Sequence, residues 1–339
     1  LESIYVLGLT KSHRAFIDNN LIKENMEKSI IKGTINKGSL DINLEVDIEP
    51  NKKILSIDNT NIKKVSDYIS NMNIIIFYPD DLELLKGSPL GRRKYFNTEL
   101  SQLYSNYYII LNEYNKLLRI RNEYLKKMNF GHVVDENYFD ILTNYLIDKA
   151  IIIMKMRYKF IEKINAYCET IYKDIMSISD FSIRYIPSIE IDYSDDEKSK
   201  RILKEYYHQH LEYDIKILST NIGPHKDDFD FLIGNQSLKY YGSQGQQRIA
   251  VLVLKLSEIE IFRKYKESTP ILLLDDIFSE LDIKKRNKLI KFLNMDIQII
   301  ITTTDIANIS YEFLKYANIY DIKEGSIFMK TEGELNGRK

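Results

Sequence analysis

The chain has no tryptophan, a single cysteine and no excess of either charge. One cysteine, Cys168, excludes an internal disulfide and leaves no thiol pair for a metal. A buried, inert thiol in a cytoplasmic chain is therefore expected. A formal net charge of −1 gives no global basicity, so any surface for a polyanion must be local. The aliphatic runs at 150–154 and 249–254 are far too short to span a bilayer, and no membrane segment or signal peptide is expected. His208 and His210 stand two residues apart, a spacing that does not share a helix face and argues against a metal pair. No G-x-x-x-x-G-K-[ST] stretch occurs in the 339 residues, so a phosphate-cradling loop of that type is absent from them.

What is present is an ordinary globular composition, 44% hydrophobic and 29% charged, at a length that suggests two domains. The first residues, Leu1-Glu2-Ser3-Ile4-Tyr5, carry a helical pattern with no capping residue before it, so a lost segment upstream of Leu1 is expected. Between 29 and 57 the pattern has period two. Ile42, Leu44, Val46 and Ile48 alternate with Asp41, Asn43, Glu45 and Asp47, which predicts an antiparallel meander with one wet face. A short buried strand at 74–77 stops at Pro79. From Leu100 through Tyr107, Tyr114, Arg121 and Met128, steps of three and four predict one long helix. Asp135 caps a second, reaching to about Met176, with Leu146, Ala150, Ile153, Arg157, Phe160 and Ile164 on its seam. The two are expected to pack as an antiparallel arm, roughly 40 and 60 Å long at 1.5 Å per residue.

The chemistry concentrates in the last third. Ile271-Leu272-Leu273-Leu274 ends abruptly in Asp275-Asp276. That is how a buried central strand looks where its carboxyl end opens onto a charged site. A core strand followed by an acidic helix cap is the bland alternative. Upstream, Ser243-Gln244-Gly245-Gln246 opens a strongly apolar helix, presenting a hydroxyl and backbone N–H groups at a helix N-terminus, a natural anion receptor. A simple N-cap explains Ser243 equally well. Beyond lie Ser279-Glu280-Leu281-Asp282 and a strand ending in Thr302-Thr303-Thr304.

In this order the pieces resemble the carboxyl half of an ABC-type ATPase head. More closely, the chain resembles the RecF family, bacterial recombination mediators of the SMC-like branch. The resemblance rests on Lys11-Ser12-His13-Arg14, Tyr78-Pro79-Asp80-Asp81, Lys86-Gly87-Ser88-Pro89 with Arg92-Arg93, Gly223-Pro224-His225-Lys226-Asp227-Asp228, the Ser243 loop and the Asp275-Asp276 strand. It implies an α/β P-loop NTPase head with an antiparallel β subdomain and an inserted helical arm, the N-terminal strand and P-loop being absent. The implied division is head at 1–85, arm or lid at 86–215 and head again at 216–339.

The resemblance also implies an ATP- and Mg²⁺-dependent switch with weak ATPase activity in the intact protein, inactive in this chain. Asp275 would hold Mg²⁺ through water and Asp276 would serve as general base. Ser243, Gln244, Gly245 and Gln246 would form the signature loop, Asp282 the D-loop, and Thr304 would stand near the usual switch position. An ATP-dependent homodimer is implied, acting on DNA with RecR and, through it, RecO and RecA at single-stranded gaps. Arg92, Arg93, Lys94 and Arg157 are the candidates for phosphate contacts, with Lys155 and Lys159 beside them. Lys11, His13 and Arg14 are placed near the nucleotide. No Gln follows Phe77 at the usual Q-loop position, and no His stands at the switch strand. The other readings are a non-catalytic DNA- or protein-binding module, or another SMC-like repair ATPase.

Overall fold

The computed structural model describes residues 1–15, 17–266, 268–277, 283–293, 297–304, 314 and 317–329. Helix α1 (Glu2–Leu9) ends at Thr10, which takes a left-handed conformation and closes on Val6 O. An antiparallel sheet follows, formed in spatial order by β1 (Ser29–Lys37), β2 (Leu40–Glu49), β3 (Lys52–Ile57) and β4 (Thr60–Ile62). The alternation in the sequence determines its faces: Leu44, Val46 and Ile48 are buried with Leu55 and Val6, and the intervening polar residues face outward. Gly38 makes the tight turn between the first two strands at a φ of +67°.

Helix α2 (Val65–Ile69) leads to β5 (Ile74–Phe77), buried along its whole length. A turn at Pro79–Leu82 and the short α3 (Glu83–Lys86) precede α4 (Pro89–Leu103). Then come α5 (Ser105–Asn129) and α6 (Glu136–Met176), the arm. Asp135 caps α6 by accepting from Tyr138 N at 3.0 Å. One expectation is corrected here. The helical period through Leu100 and Tyr107 is not one helix, because Tyr104 is extended and separates α4 from α5. The period carries across the break with no proline or glycine to mark it.

The chain returns through β6 (Phe181–Ile186), α7 (Asp196–Gln209) and α8 (Leu211–Ile217) to β7 (Asp228–Ile233) and β8 (Gln236–Ser237). Strands β6, β7 and β8 form a second antiparallel sheet. The one-turn α9 (Leu238–Tyr241) precedes the long α10 (Gln244–Lys266). Next are β9 (Ile271–Asp275), α11 (Ile283–Leu293), β10 (Ile299–Thr302) and a hairpin, β11 (Tyr320–Lys323) with β12 (Ser326–Met329).

Strand β9 runs between β5 and β10, parallel to both. Apolar helix α10 packs against α6 and β5, so the main core is continuous from this parallel layer into the arm. Phe96 stacks on Phe229 at 3.8 Å, joining α4 to the second sheet. Cys168 is buried there and its thiol is pushed up to about 12 by burial, as an inert thiol should be. Among the described residues, no helix is long and apolar enough to cross a membrane, and no cluster of three metal-ligating side chains occurs.

Candidate functional site

Asp275 is the last residue of β9, flanked by the carboxyl ends of β5 and β10. Leu272, Leu273 and Leu274 are fully buried, and their core fixes where the chain emerges. The register sets Thr302 directly beside Asp275, and the Thr302 hydroxyl donates to Asp275 Oδ1 at 2.5 Å. The other oxygen, Oδ2, accepts from the guanidinium of Arg14, 261 residues away in sequence. Asp276 then turns left-handed at a φ of +50°, and its N–H donates to Thr302 O at 3.0 Å. Asp and Asn tolerate this region better than branched residues do. A small cavity of about 40 Å³ opens here between Tyr78, Asp81, Arg248 and Asp275.

Arg14 reaches this point because the loop after α1 is tightly folded. Ser12 Oγ accepts from Arg14 N at 2.9 Å and from Ala15 N at 2.7 Å, and donates to Glu2. His13 lies between the rings of Tyr5 and Tyr78, each at 5.1 Å. Its ring pKa is lowered, first by burial and then by Arg14. Lys11 is exposed. Of the three residues expected near a nucleotide, Arg14 is the one in contact with Asp275.

At the start of α10 a reciprocal capping box forms. Gln246 N donates to Ser243 Oγ at 3.3 Å, and Ser243 N donates to Gln246 Oε1 at 2.9 Å. The motif is thus used locally, as the bland reading requires, yet Ser243 and Gln244 remain exposed. Gly242 must be glycine for packing: a Cβ there would stand 2.7 Å from Leu238 O. Gly245 is half-buried near Lys285. Thr304 is exposed just past β10, and Thr302 rather than Thr304 holds Asp275. Asp282 and its neighbours from Ser279 lie outside the described residues.

A buried polar network behind the strand end was not foreseen. Lys255 of α10 is 1% exposed, pairs with Asp81 and donates to Ile76 O. Its ammonium sits over the rings of Phe77 at 5.1 Å and Tyr78 at 5.2 Å. Glu258, on the same helix, accepts from Tyr95 OH at 2.6 Å. Burial raises Glu99 to about 8 and carries Glu258 well above the usual carboxylate range, Glu99 being the second cause there. The lone Lys255 within an apolar helical run was the available signal.

Two of the four expected phosphate-contacting residues are corrected. Arg157 is 1% exposed and is consumed by Asp227 at 3.0 Å, Pro224 O at 2.6 Å and Asn97 Oδ1 at 2.9 Å. Arg92 is 3% exposed and clasps Asp228 with two N–H···O bonds, at 2.6 and 2.9 Å. Neither presents its charge to solvent. Arg93 is half-buried and donates to Asp227 O at 2.8 Å, while Lys94 and Lys159 are exposed. Lys155 pairs with Asp196.

A parallel strand ending in a held carboxylate, a glycine-flanked capped helix and a pair of long helices together make an ABC-type ATPase head. The comparisons narrow this. The chain is 36% identical to the DNA replication and repair protein RecF of Lactobacillus johnsonii, covering 97% of this chain and 89% of that protein. It is 35% identical to RecF of Bacillus mycoides, covering 96% and 88%. A solved structure of the recombination mediator protein RecF of the RecFOR pathway, in complex with ATP, superposes with a TM-score of 0.88. It is 28% identical, with 97% of this chain and 87% of that one covered. No family model matches the chain. The chain belongs to the RecF family of DNA replication and repair proteins and is a RecF-like recombination mediator.

Proposed function

We propose that this protein is an ATP-dependent, DNA-binding mediator that dimerises with ATP and helps load a recombinase at single-stranded gaps. The observation that carries the reading is the Asp275 carboxylate, held by Thr302 and Arg14 at the mouth of the parallel layer. Support comes from a relative solved with ATP. The residues present fit the metal-facing half of such a site: a strand-end carboxylate, a second one beside it and a small cavity. The phosphate-cradling motif is not among these 339 residues, so no cradling step is assigned to them.

Bound Mg²⁺ would offset the charge that develops on the transferred phosphoryl oxygens. Asp275 would orient that ion through water. Asp276 would position the attacking water and accept its proton. The exposed Ser243, Gln244 and Gly245, with Gln246, would complete the site of a second protomer, so that nucleotide holds a two-fold pair together. Asp282 and Thr304 are proposed to flank the same site. DNA would be held through phosphate contacts without base readout. RecR, RecO and RecA are the proposed partners and the cytoplasmic nucleoid the proposed place of action. The division into head, arm and head at residues 85 and 215 belongs to the same proposal.

Sedimentation of the full reading-frame product with and without Mg-ATP tests the reading. ATP should shift it from monomer to dimer, and Ser243→Arg should abolish the shift. A Ser243→Arg protein that still dimerises with ATP sinks the shared-site reading. A product with no ATP response at all favours the non-catalytic binding module.

A further inference from the structure

With Arg92 and Arg157 buried, the cations available to a polyanion lie elsewhere. Gly87 O accepts from Arg92 at 2.9 Å and from Lys239 Nζ at 3.4 Å, drawing the 86–94 segment and α9 together. Arg92 clasps Asp228, and Arg93 binds the preceding carbonyl, Asp227 O. Lys226 directly precedes Asp227 in the chain, so its backbone lies beside this segment. Lys86, Lys94 and Lys226 are exposed and Lys239 is half-buried. The nearby Asp227 and Asp228 are already neutralised by Arg157 and Arg92. Glu83, close to Gly87, is an acidic neighbour that Lys86, Lys226, Lys239 and Arg93 outweigh.

This face also carries two aromatic rings. Helix α9 is one turn long and buries Leu238 as its anchor, which leaves Tyr240 and Tyr241 74% and 73% exposed. Lys239 Nζ sits 5.7 Å from the Tyr240 ring centroid. Two adjacent exposed tyrosines cost apolar exposure and contribute little to the core. Rings interleaved with lysines are what a single strand requires, since its phosphates meet the cations while its unpaired bases stack on the rings. A duplex offers no free base faces.

We propose that the strip formed by Lys86, Lys94, Lys226, Lys239, Tyr240 and Tyr241 is a docking track for single-stranded DNA. This rests on the proposed reading of the protein as DNA-binding and names the surface and strand form. It sets the single strand beside the Ser243 loop, so strand occupancy and protomer pairing would be decided at neighbouring surfaces.

The test is fluorescence anisotropy of a labelled oligothymidine and of a duplex over a salt series, using the full chain. Tyr240→Ala with Tyr241→Ala should weaken oligothymidine binding roughly tenfold for each ring removed, with the salt slope unchanged. The Tyr→Phe pair keeps the rings and should restore binding. Lys86→Gln, Lys94→Gln and Lys226→Gln together should lower the salt slope by about 2, three contacts at about 0.7 each. All five side chains are exposed, so melting curves should match the parent. A parent that binds DNA while the tyrosine pair leaves single-strand affinity intact overturns the track alone. An unchanged slope in the lysine variant does the same, as does a tyrosine effect confined to self-association. A parent that binds neither strand form overturns the DNA reading itself and this surface with it.

Discussion

Arg157–Asp227 at the base of the arm and Arg14–Asp275 at the strand end use the same pair of groups in opposite surroundings. The first pair is 1% and 0% exposed, and Asp227 also accepts from Tyr185 and from Ser188 N at 2.8 Å. In the second pair the arginine is 57% exposed and the aspartate 18%. A fully desolvated pair cannot lose one partner without stranding the other charge, whereas an exposed arginine is rehydrated when it leaves. The buried pair is therefore a fixed joint between α6 and the segment leading into β7. The exposed pair is exchangeable, which suits the cation-binding role proposed for Asp275.

The largest effect should follow from breaking the joint. Asp227→Ala removes the acceptor for Arg157, Tyr185 and Ser188 together. It should cost about 3–5 kcal/mol of stability by urea unfolding, the usual cost of orphaning a buried charge. A loss below 1 kcal/mol by the same measurement would show that the joint rehydrates easily, and the contrast with Arg14 would collapse.

A pH experiment sharpens the comparison on a third group. Glu99 is buried beside Gln102, and burial raises it from an ordinary value near 4.5 to about 8. A raised carboxyl binds more protons folded than unfolded between those values, so its contribution is full below 4.5 and lost as pH climbs through about 8. Stability should therefore fall across that window in the parent, and Glu99→Gln should flatten the fall. An unchanged slope in the variant would locate the titration elsewhere in the Lys255 network.

Much of the scaffold was legible because its signals are local. The alternation of Ile42, Leu44, Val46 and Ile48 is the pleat of β2 itself, and the cap at Asp135 needs only the next three residues. Asp275 was legible for the same reason, as four apolar residues followed by a carboxylate describe a strand end wherever they occur. What failed was the environment of cations. Arg92 and Arg157 read as candidates for phosphate contacts, yet their fate is decided by Asp228 and Asp227, 136 and 70 residues away. Thr302 read as one of three threonines at a strand end, and only the parallel register with β9 singles it out. The Tyr104 break was hidden because an extended residue between helices left the apolar period intact.

A smaller effect separates local structure from function at the Ser243 loop. Ser243→Ala removes one half of the capping box and should cost about 1 kcal/mol in urea unfolding. Ser243→Thr keeps a capping hydroxyl and should cost less. If ATP-dependent association falls in both variants, the loop has a role beyond its cap, because stability and association would then part company.

The smallest effect on folding should come from Arg14→Ala, and that smallness is the point. The guanidinium is more than half exposed, so its pair with Asp275 is worth about 0–1 kcal/mol. Urea unfolding should barely move, in contrast to Asp227→Ala. The consequence belongs instead to Asp275, which keeps Thr302 on one oxygen and loses the competing cation on the other. Mg²⁺ titrated against the Arg14→Ala protein should therefore bind more tightly than to the parent by calorimetry. Weaker binding would mean that Arg14 holds the carboxylate in its working orientation, and the two arginine pairs would then differ in exposure but not in kind.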